Sequence, residues 1–435
     1  MNKFALHMLP RAVAAALLAV GAMPAAAVDL DYTVRLGLQH NDNINFSETD
    51  PVSENIFIPG IDFTLQQDGA RLRVNLAGSL EYRKYLDGTY DSTTRSALNG
   101  LAEWILVPQR LNWSFQDNRS VQPINELAAD SPDNQQQTNA FATGPSLLFG
   151  AGKAINGQFD LRYIESHAEQ TQQFDTRRTA AALNLGHDID ATSRISANVN
   201  GQAVRFKHAA LGADFTRYDL YADYSRKLNR LDLDLAAGYS QLDFDNATMQ
   251  DSNGPLLRLS LGWQPETRSR FNLSLARQYT DAADAMLGSN ISGTLPSGVN
   301  TGDASVTAQA YLQRSVDLGY SWQGERAGFT LTPYWRDYDY PESTTLDRQG
   351  RGFNAGVGYR LRPRLSLGIS ASAERETYQA INRNDRTRSL SASLDYQMTR
   401  RLNWNLSYTR YERRSSIAGQ SSNQNVVYFQ LILRR

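Results

Sequence analysis

Serine and histidine are the residues from which a hydrolase would be built here, because the chain has no cysteine. A serine nucleophile needs a histidine base within hydrogen-bond reach. The histidines beyond residue 27 are His40, His167, His187 and His208. None of them adjoins a partner motif, and no serine lies in a G-x-S-x-G sequence. We therefore expect that the protein is not an enzyme.

Metal and cofactor chemistry is not indicated either. The absence of cysteine removes thiolate ligands and disulfides together. No H-E-x-x-H sequence occurs. The acidic stretch DFDNATMQDSNG (residues 243–254) resembles a calcium-binding loop in composition but lacks the spacing of an EF-hand. We expect no metal and no cofactor.

Charged residues alternate with apolar ones over long stretches of the chain. In RLRVNLAGSLEYRKY (residues 71–85), Leu72, Val74 and Leu76 share one parity, whereas Arg73 and Asn75 lie on the other. A period of two indicates an extended strand with one apolar and one polar face. The pattern recurs to the C-terminus, without the three- and four-residue spacing of amphipathic helices.

We count about twenty such segments of roughly 10 to 15 residues, the first near residue 31 and the last near residue 424. Short turns such as QQDG and GAGK follow the even-numbered segments, and longer polar loops follow the odd-numbered ones. Among these loops we place DNRSVQPINELAADSPDNQQQ (residues 117–137) and the segment near 280–303. This alternation is typical of outer-membrane barrels, with the short turns in the periplasm.

The fold prediction is all-β, a transmembrane antiparallel up-and-down β-barrel of about twenty strands. About eighteen strands is the alternative if one hairpin is misread. An even number places both termini in the periplasm. A soluble sandwich is the competing fold, but its strands usually run only about 5–6 residues.

Tryptophan positions support the membrane interpretation. All six tryptophans lie on the apolar parity of their segments. Those within a few residues of a short turn are Trp104, Trp113, Trp263, Trp322 and Trp404. Amphipathic aromatic rings favour the membrane–water interface. We therefore predict an aromatic girdle at the periplasmic side.

The polar parity should face the lumen, which in a barrel of about twenty strands is wide enough for an aqueous channel. The predicted pore-lining residues are Arg35, Arg73, Glu81, Arg83, Glu103, Arg162, Arg217, Asp219, Asp232, Asp234, Arg258, Tyr334, Arg336, Arg360 and Asp395. Alternatively, these charges simply pair across the wall and hold the strands together. The inward tyrosines, which sugar rings could stack on, are Tyr221, Tyr311, Tyr334 and Tyr338.

The first residues indicate the compartment. Lys3 and Arg11 flank an apolar run that ends in a small-residue cleavage site at Ala25–Ala27. We predict a secretory signal peptide over residues 1–27 and an outer-membrane β-barrel over 28–435, in a Gram-negative bacterium. No later run reaches the ~18 apolar residues of a spanning helix. The net charge of −1 implies no nucleic-acid partner.

The N-terminal string LGLQHNDNINFSETDPVSENIFIPGIDFTL, together with RLRVNLAGSLEYRKYLD, LVPQRLNWSFQDNRSVQP and TGPSLLFGAG, resembles a family of outer-membrane β-barrels. These barrels accompany exopolysaccharide synthesis and export gene clusters, including those of PEP-CTERM/exosortase bacteria. The distinctive part of the resemblance lies in residues 36–60. It implies a channel through which a polysaccharide leaves the cell, working with periplasmic polysaccharide-export proteins. It carries no catalytic residues.

Two other functions stay open at this point. One is a general or solute-specific diffusion porin, and the other is a structural or adhesive barrel whose long loops bind other cells. For all three we expect a monomeric barrel surrounded by outer-membrane lipid and lipopolysaccharide. Asp42 and Asn43, at the end of the first strand, should close local turns by bonding backbone amides rather than contact sugar.

Overall fold

The computed structural model describes residues 28–208, 210–246, 249–288 and 307–435. The predicted signal peptide over 1–27 and most of the predicted loop near 280–303 lie outside these ranges. The strands are β1 (Asp29–Asn41), β2 (Glu54–Asp68), β3 (Leu72–Tyr85), β4 (Thr93–Val107), β5 (Leu111–Pro123), β6 (Gln135–Phe149), β7 (Ile155–Ala168), β8 (Thr176–Asp188), β9 (Ser193–Phe206), β10 (Phe215–Leu228), β11 (Leu231–Phe244), β12 (Ser252–Glu266), β13 (Ser269–Thr280), β14 (Tyr311–Gln323), β15 (Ala327–Asp339), β16 (Arg348–Arg362), β17 (Leu365–Tyr378), β18 (Arg383–Gln397), β19 (Leu402–Ser415) and β20 (Ser422–Arg434).

One short α-helix, α1 (Ala282–Leu287), follows β13. Single 3₁₀ turns occupy Pro132–Asn134, Gln172–Phe174 and Thr344–Leu346. In the described ranges, no helix is long and apolar enough to cross a membrane.

The sheet closes on itself. Each strand pairs antiparallel with its neighbours in sequence, and β1 also pairs with β20 from Thr33↔Arg434 to Asn41↔Val426. Closure satisfies the backbone groups that an open sheet edge would expose. The predicted antiparallel barrel of twenty strands is confirmed, and the alternative of eighteen is excluded.

The apolar face of the sheet is the exposed one. On β10, Leu220 is 62% exposed while its neighbour Asp219 is 7% exposed. Leu36 and Val199 are also largely exposed and have the same outward parity. This arrangement inverts the pattern of a soluble protein and matches a barrel whose outer face meets lipid.

Aromatic side chains form a cross-strand ladder on the outer face near the short turns. The Trp263 and Phe271 rings stack with centroids 5.5 Å apart, and Phe271 lies 4.7 Å from Tyr320. On strands β18–β20, Trp404 packs on Tyr396 and Phe429. We call this end the short-turn rim and the opposite end the long-loop rim.

The loop predicted over residues 117–137 was wrong in its bounds. β5 and β6 stay paired from Arg119↔Asn139 to Pro123↔Gln135, so only residues 124–134 form a loop. The mistake has a physical reason: where strands extend beyond the apolar band, both faces are polar, and their sequence resembles a loop.

Candidate functional site in the barrel lumen

Helix α1 is built by its first residue. Asp281 is the N-cap, and its Oδ1 accepts hydrogen bonds from the backbone N–H groups of Ala283 (2.9 Å) and Asp284 (3.2 Å). Gly288 ends the helix with φ 70°, a conformation that glycine adopts without strain. These caps stabilise a helix that is too short to persist alone in water.

The helix lies across the lumen. It enters from β13, yet its C-terminal carbonyls accept hydrogen bonds from side chains of β5. Asn118 Nδ2 donates to the Met286 carbonyl at 2.7 Å, and Gln116 donates to that of Leu287. The apolar side of the helix packs on inward residues of β6, β7 and β8. This cluster comprises Ala282, Ala283 and Leu287 of the helix segment with Ala140, Ala142, Ile164, Ala168, Phe174 and Ala180.

Two arginines hold the helix from the wall. Arg178 on β8 pairs with Asp281 at 2.6 Å and with Asp284 at 3.4 Å. Arg217 on β10 pairs with Asp284 at 2.9 Å, and Gln202 Nε2 donates to Asp284 Oδ1 at 2.9 Å. We call these five residues the helix latch.

The two latch carboxyl groups are affected differently by their surroundings. Burial raises the pKa of Asp281 above its usual range, and Arg178 offsets this only in part. Burial acts in the same direction on Asp284, but the guanidinium groups of Arg217 and Arg178 outweigh it and lower the pKa of Asp284. Asp284 is therefore ionised at neutral pH and anchors the helix electrostatically.

A second segment, the β5–β6 loop (residues 124–134), reaches the far wall. Glu126 forms an ion pair with Arg348 on β16. Arg413 on β19 donates to the Ala128 carbonyl at 2.8 Å and pairs with Asp385 on β18, also at 2.8 Å. The loop and helix α1 thus enter the lumen from different strands and contact different parts of its wall.

The inner wall of β15–β18 borders a cavity of about 670 Å³. This cavity lies between the two inward segments, helix α1 and the β5–β6 loop, and the short-turn rim. Glycine and serine make up most of its inward lining. The inward lining residues are Ser321, Gln323, Gly328, Thr330, Gly356, Gly358, Arg360, Ser366, Gly368, Ser370, Ser391, Ser393 and Asp395. At Gly358, an added Cβ would have no atom within 4 Å, so the space beside it is open.

Tyrosine–arginine pairs lie on the inner face nearer the long-loop rim. The guanidinium of Arg336 lies over the ring of Tyr334 at 4.5 Å, and that of Arg348 over Tyr338 at 5.0 Å. Further pairs are Arg258 with Tyr221 and Arg383 with Tyr378. Such pairs present a flat apolar ring beside several hydrogen-bond donors.

The predicted pore-lining residues of β1–β4 all lie on the inner face and form ion pairs, most of them between strands. Arg35 pairs with Asp62 at 2.5 Å, and Glu81 lies 2.5 Å from Arg83 and 3.9 Å from Arg35. Nearer the short-turn rim, Arg73 lies 4.0 Å from Glu103. In this part of the wall, the geometry supports the interpretation that the charges form ion pairs that hold the strands together.

Five other predicted pore-lining residues lie on β7, β10 and β11. Arg162 pairs with Asp160 on the same strand. Arg217 joins the helix latch and also approaches Asp219 at 3.3 Å. Asp232 and Asp234 lie on β11 opposite Lys227 and Ser225.

Five further predicted residues lie either at the cavity or in the tyrosine–arginine pairs. Arg360 and Asp395 border the cavity, whereas Tyr334, Arg336 and Arg258 belong to the tyrosine–arginine pairs. Arg336 and Tyr221 are buried, so the candidates for contact with a solute are Arg258, Tyr334, Arg360 and Asp395.

Sequence reasoning missed the residues that hold the inward segments: Arg178, Asp281, Asp284, Glu126, Arg348 and Arg413. A usable signal was present at 281–284, where Asp-Ala-Ala-Asp combines an N-cap residue with an acidic first turn. The partners of these residues become evident only once the barrel is closed.

Asn43 closes a local turn as expected, because its Oδ1 accepts a hydrogen bond from the Ser47 N–H at 3.0 Å. Asp42 does not close a local turn and bonds to β20 instead. Asp42 accepts hydrogen bonds from the backbone and side-chain nitrogens of Asn425. Asn43 donates to the carbonyls of Ser47 and Asn423. Both side chains therefore tie the first loop to β20 at the barrel seam.

Comparison with known proteins identifies the fold. Residues 341–435, which include β16–β20, match the family described as "Putative beta-barrel porin 2". Among solved structures, the siderophore receptor PirA from Acinetobacter baumannii superposes with a TM-score of 0.51 and 9% identity, covering 95% of this chain and 81% of that one. The chain has the fold of an outer-membrane β-barrel. No curated protein matches it.

Other solved structures show the same similarity. A variant of the ferric enterobactin receptor PfeA from Pseudomonas aeruginosa gives a TM-score of 0.50 at 10% identity, covering 93% of this chain and 80% of that one. The FrpB iron transporter from Neisseria meningitidis gives 0.47 at 11% identity, covering 94% and 83%. At such identities the similarity concerns architecture alone.

Proposed function

We propose that the barrel is a passive saccharide conduit of the outer membrane and that its cargo is an exopolysaccharide leaving the cell. The observation that carries the proposal is the cavity of about 670 Å³ along β15–β18, which is lined mostly by glycine and serine. The cavity lies closer to the short-turn rim than the tyrosine–arginine pairs do.

The chemistry of this wall suits a sugar chain. The apolar face of a pyranose ring can stack on Tyr334, which is only half-buried, while neighbouring guanidinium groups donate to its hydroxyls. Gly358 adjoins open space, and the glycines at 356 and 368 add no side chain to the lumen. The wall offers many weak contacts rather than one tight pocket, which favours passage over retention.

The orientation is part of the proposal. The short-turn rim and both termini face the periplasm, where polysaccharide-export proteins deliver the polymer, and the long-loop rim faces the exterior of a Gram-negative cell. The resemblance of residues 36–60 to export-associated barrels supports this direction. The pore-lining role of the predicted inward residues belongs to the same proposal.

A general or solute-specific diffusion porin is the second candidate. It is favoured by the position of helix α1 and the β5–β6 loop, which both enter the lumen and narrow it. If these segments stay in place during transport, only small solutes can pass. Export of a polymer requires that the helix latch releases.

Gene deletion distinguishes the two functions. If the barrel exports a polysaccharide, deletion removes the polymer from the cell surface and leaves it in the periplasm, and the wild-type gene restores export. Unchanged surface polysaccharide together with slower uptake of small sugars would contradict export and support the porin. Complementation with Gly358→Trp, beside Val357→Trp as the outward-facing control, tests whether the cavity is the route.

A further inference from the structure

Four arginines form a row across adjacent strands of the barrel. The register places Arg351 opposite Arg375, Arg375 opposite Arg386, and Arg386 opposite Arg414. These pairings lie near the long-loop ends of β16–β19. We call these four residues the arginine row. Neighbouring strands lie about 4.8 Å apart, so four positive charges follow one another closely.

The row lies on the outer face of the barrel, on the lipid-facing parity. Arg351 shares this parity with Phe353, Val357 and Tyr359, which are exposed apolar residues of the same strand. Toward the apolar band, Arg388 and Arg410 extend the basic surface. The row therefore borders the region where the outer face changes from apolar to polar.

Two outward arginines elsewhere on the same rim are neutralised by acidic neighbours. Arg205 lies 3.2 Å from Asp245 and 3.8 Å from Asp214. Arg314 pairs with Asp337 and, at 2.8 Å, with Asp339. The protein thus compensates these charges internally.

The arginine row has much less compensation. Arg414 pairs with Glu412 at 2.7 Å, and Arg375 donates to Asn384 Oδ1 at 3.4 Å. In the part of the chain that the structure describes, Arg351 and Arg386 have no carboxylate at ion-pair distance. Glu412 lies on the same outer face as the arginine row, and its carboxylate also attracts Arg388 and Arg410.

Like charges directly opposite each other on neighbouring strands destabilise a sheet. A row of four arginines is therefore expected to have an anionic ligand. We infer that the arginine row binds the phosphate groups of a glycolipid in the outer leaflet, such as a lipid A. Guanidinium groups bind phosphate in a bidentate manner, and basic residues at a membrane surface attract anionic headgroups.

A lipid fits this position better than a free anion because apolar surface adjoins the charges. The acyl chains would lie along Phe353 and its outward neighbours while the phosphates contact the guanidinium groups. This inference rests on the proposed orientation, with the long-loop rim outside. It does not depend on what passes through the lumen.

Binding of purified lipid A tests the inference. We expect the detergent-solubilised full chain to bind bisphosphorylated lipid A at least about tenfold more tightly than dephosphorylated lipid A. A tenfold change corresponds to about 1.4 kcal/mol. The quadruple variant R351Q/R375Q/R386Q/R414Q should lose this preference. The control R205Q/R277Q/R314Q, on the same rim but outside the row, should keep it.

Three results would overturn the inference: equal binding by the quadruple variant, equal binding of dephosphorylated lipid A, or displacement of lipid A by millimolar inorganic phosphate. If the quadruple variant does not fold, Arg386→Gln alone tests the same point, because Arg386 lies opposite two of the other arginines. Single-channel conductance separates this test from that of the conduit, since loss of lipid binding with unchanged conductance leaves the proposed function intact.

Discussion

Arg178 and Asp281 form an ion pair of 2.6 Å in which neither side chain is exposed to solvent. They belong to different parts of the barrel, one on the wall strand β8 and the other at the start of helix α1. Removing one member of a buried pair leaves the other charge uncompensated, at a cost of roughly 3–5 kcal/mol. This contact is therefore a main part of the helix latch, beside the pair of Arg217 with Asp284.

The first prediction concerns release of the helix. Arg178→Gln should free helix α1 from the wall and raise single-channel conductance in planar bilayers. Asp284→Asn should act in the same direction, because it removes the partner of Arg217. Arg205→Gln, which breaks an ion pair on the outer face, is the control and should leave the conductance nearly unchanged. Equal conductance in all three variants would show that the helix does not restrict the pore.

The second prediction concerns pH. Because the pKa of Asp284 is lowered, its contribution to holding the helix is fully present above the ordinary aspartate pKa of about 3.9 and is lost as the pH falls below it. Asp281, whose pKa is raised by burial, takes up a proton first and weakens its pair with Arg178. Acidification should therefore raise conductance.

The variant Asp281→Asn provides the control for this pH response. Asparagine is also a good N-cap residue, so the helix should still form. Because Arg178 loses its carboxylate partner, the conductance at neutral pH should be higher than in the wild type. With Asp281 removed, the remaining response should shift to pH values below about 3.9, where Asp284 titrates. A conductance change that depends on pH between 7 and 8 in this variant would contradict the assignment.

The third prediction places the route along the glycine-rich wall. An added side chain at Gly358 would enter open space, so Gly358→Trp should fold normally and reduce conductance by filling the cavity. Val357, its neighbour in sequence, faces outward and is 46% exposed. Val357→Trp should leave the current unchanged. The same reduction in both variants would point to damage to the barrel rather than to blockage.

The fourth prediction tests the facing of the strands. Leu76 lies on the outer face and Asn75 on the inner face of β3. Leu76→Arg should lower the free energy of unfolding by roughly 2–4 kcal/mol if the residue lies near the bilayer midplane. Asn75→Arg should cost much less. Denaturant unfolding in lipid vesicles measures both, and equal costs would contradict the assignment.

The strands could be predicted from sequence because lipid imposes a strict constraint on them. Every second residue of a membrane-crossing strand must be apolar, as with Leu231, Leu233 and Leu235, and this pattern persists through twenty strands. The ends of strands could not be placed as well. Above the apolar band both faces are polar, so residues 117–123 and 135–137 resembled a loop although they are paired strand.

The lumen was predictable in part. Parity assigned Arg217, Arg258, Arg336 and Arg360 to the inner face, but not the partners they find there. Arg178 and Asp281 are 103 residues apart, and their contact depends on closure of the barrel and on the path of one loop. The arginine row was equally hidden, since its alignment requires the register of three hairpins.

The most direct test of the central claim is single-channel recording with a neutral oligosaccharide added. The account predicts brief interruptions of the current whose frequency rises with sugar concentration. These interruptions should shorten in Tyr334→Ala, which removes a stacking ring from the lumen, and persist in Tyr359→Ala, which changes a ring on the outer face. A channel that stays silent even in Arg178→Gln, or one that sugar never interrupts, would contradict a saccharide conduit.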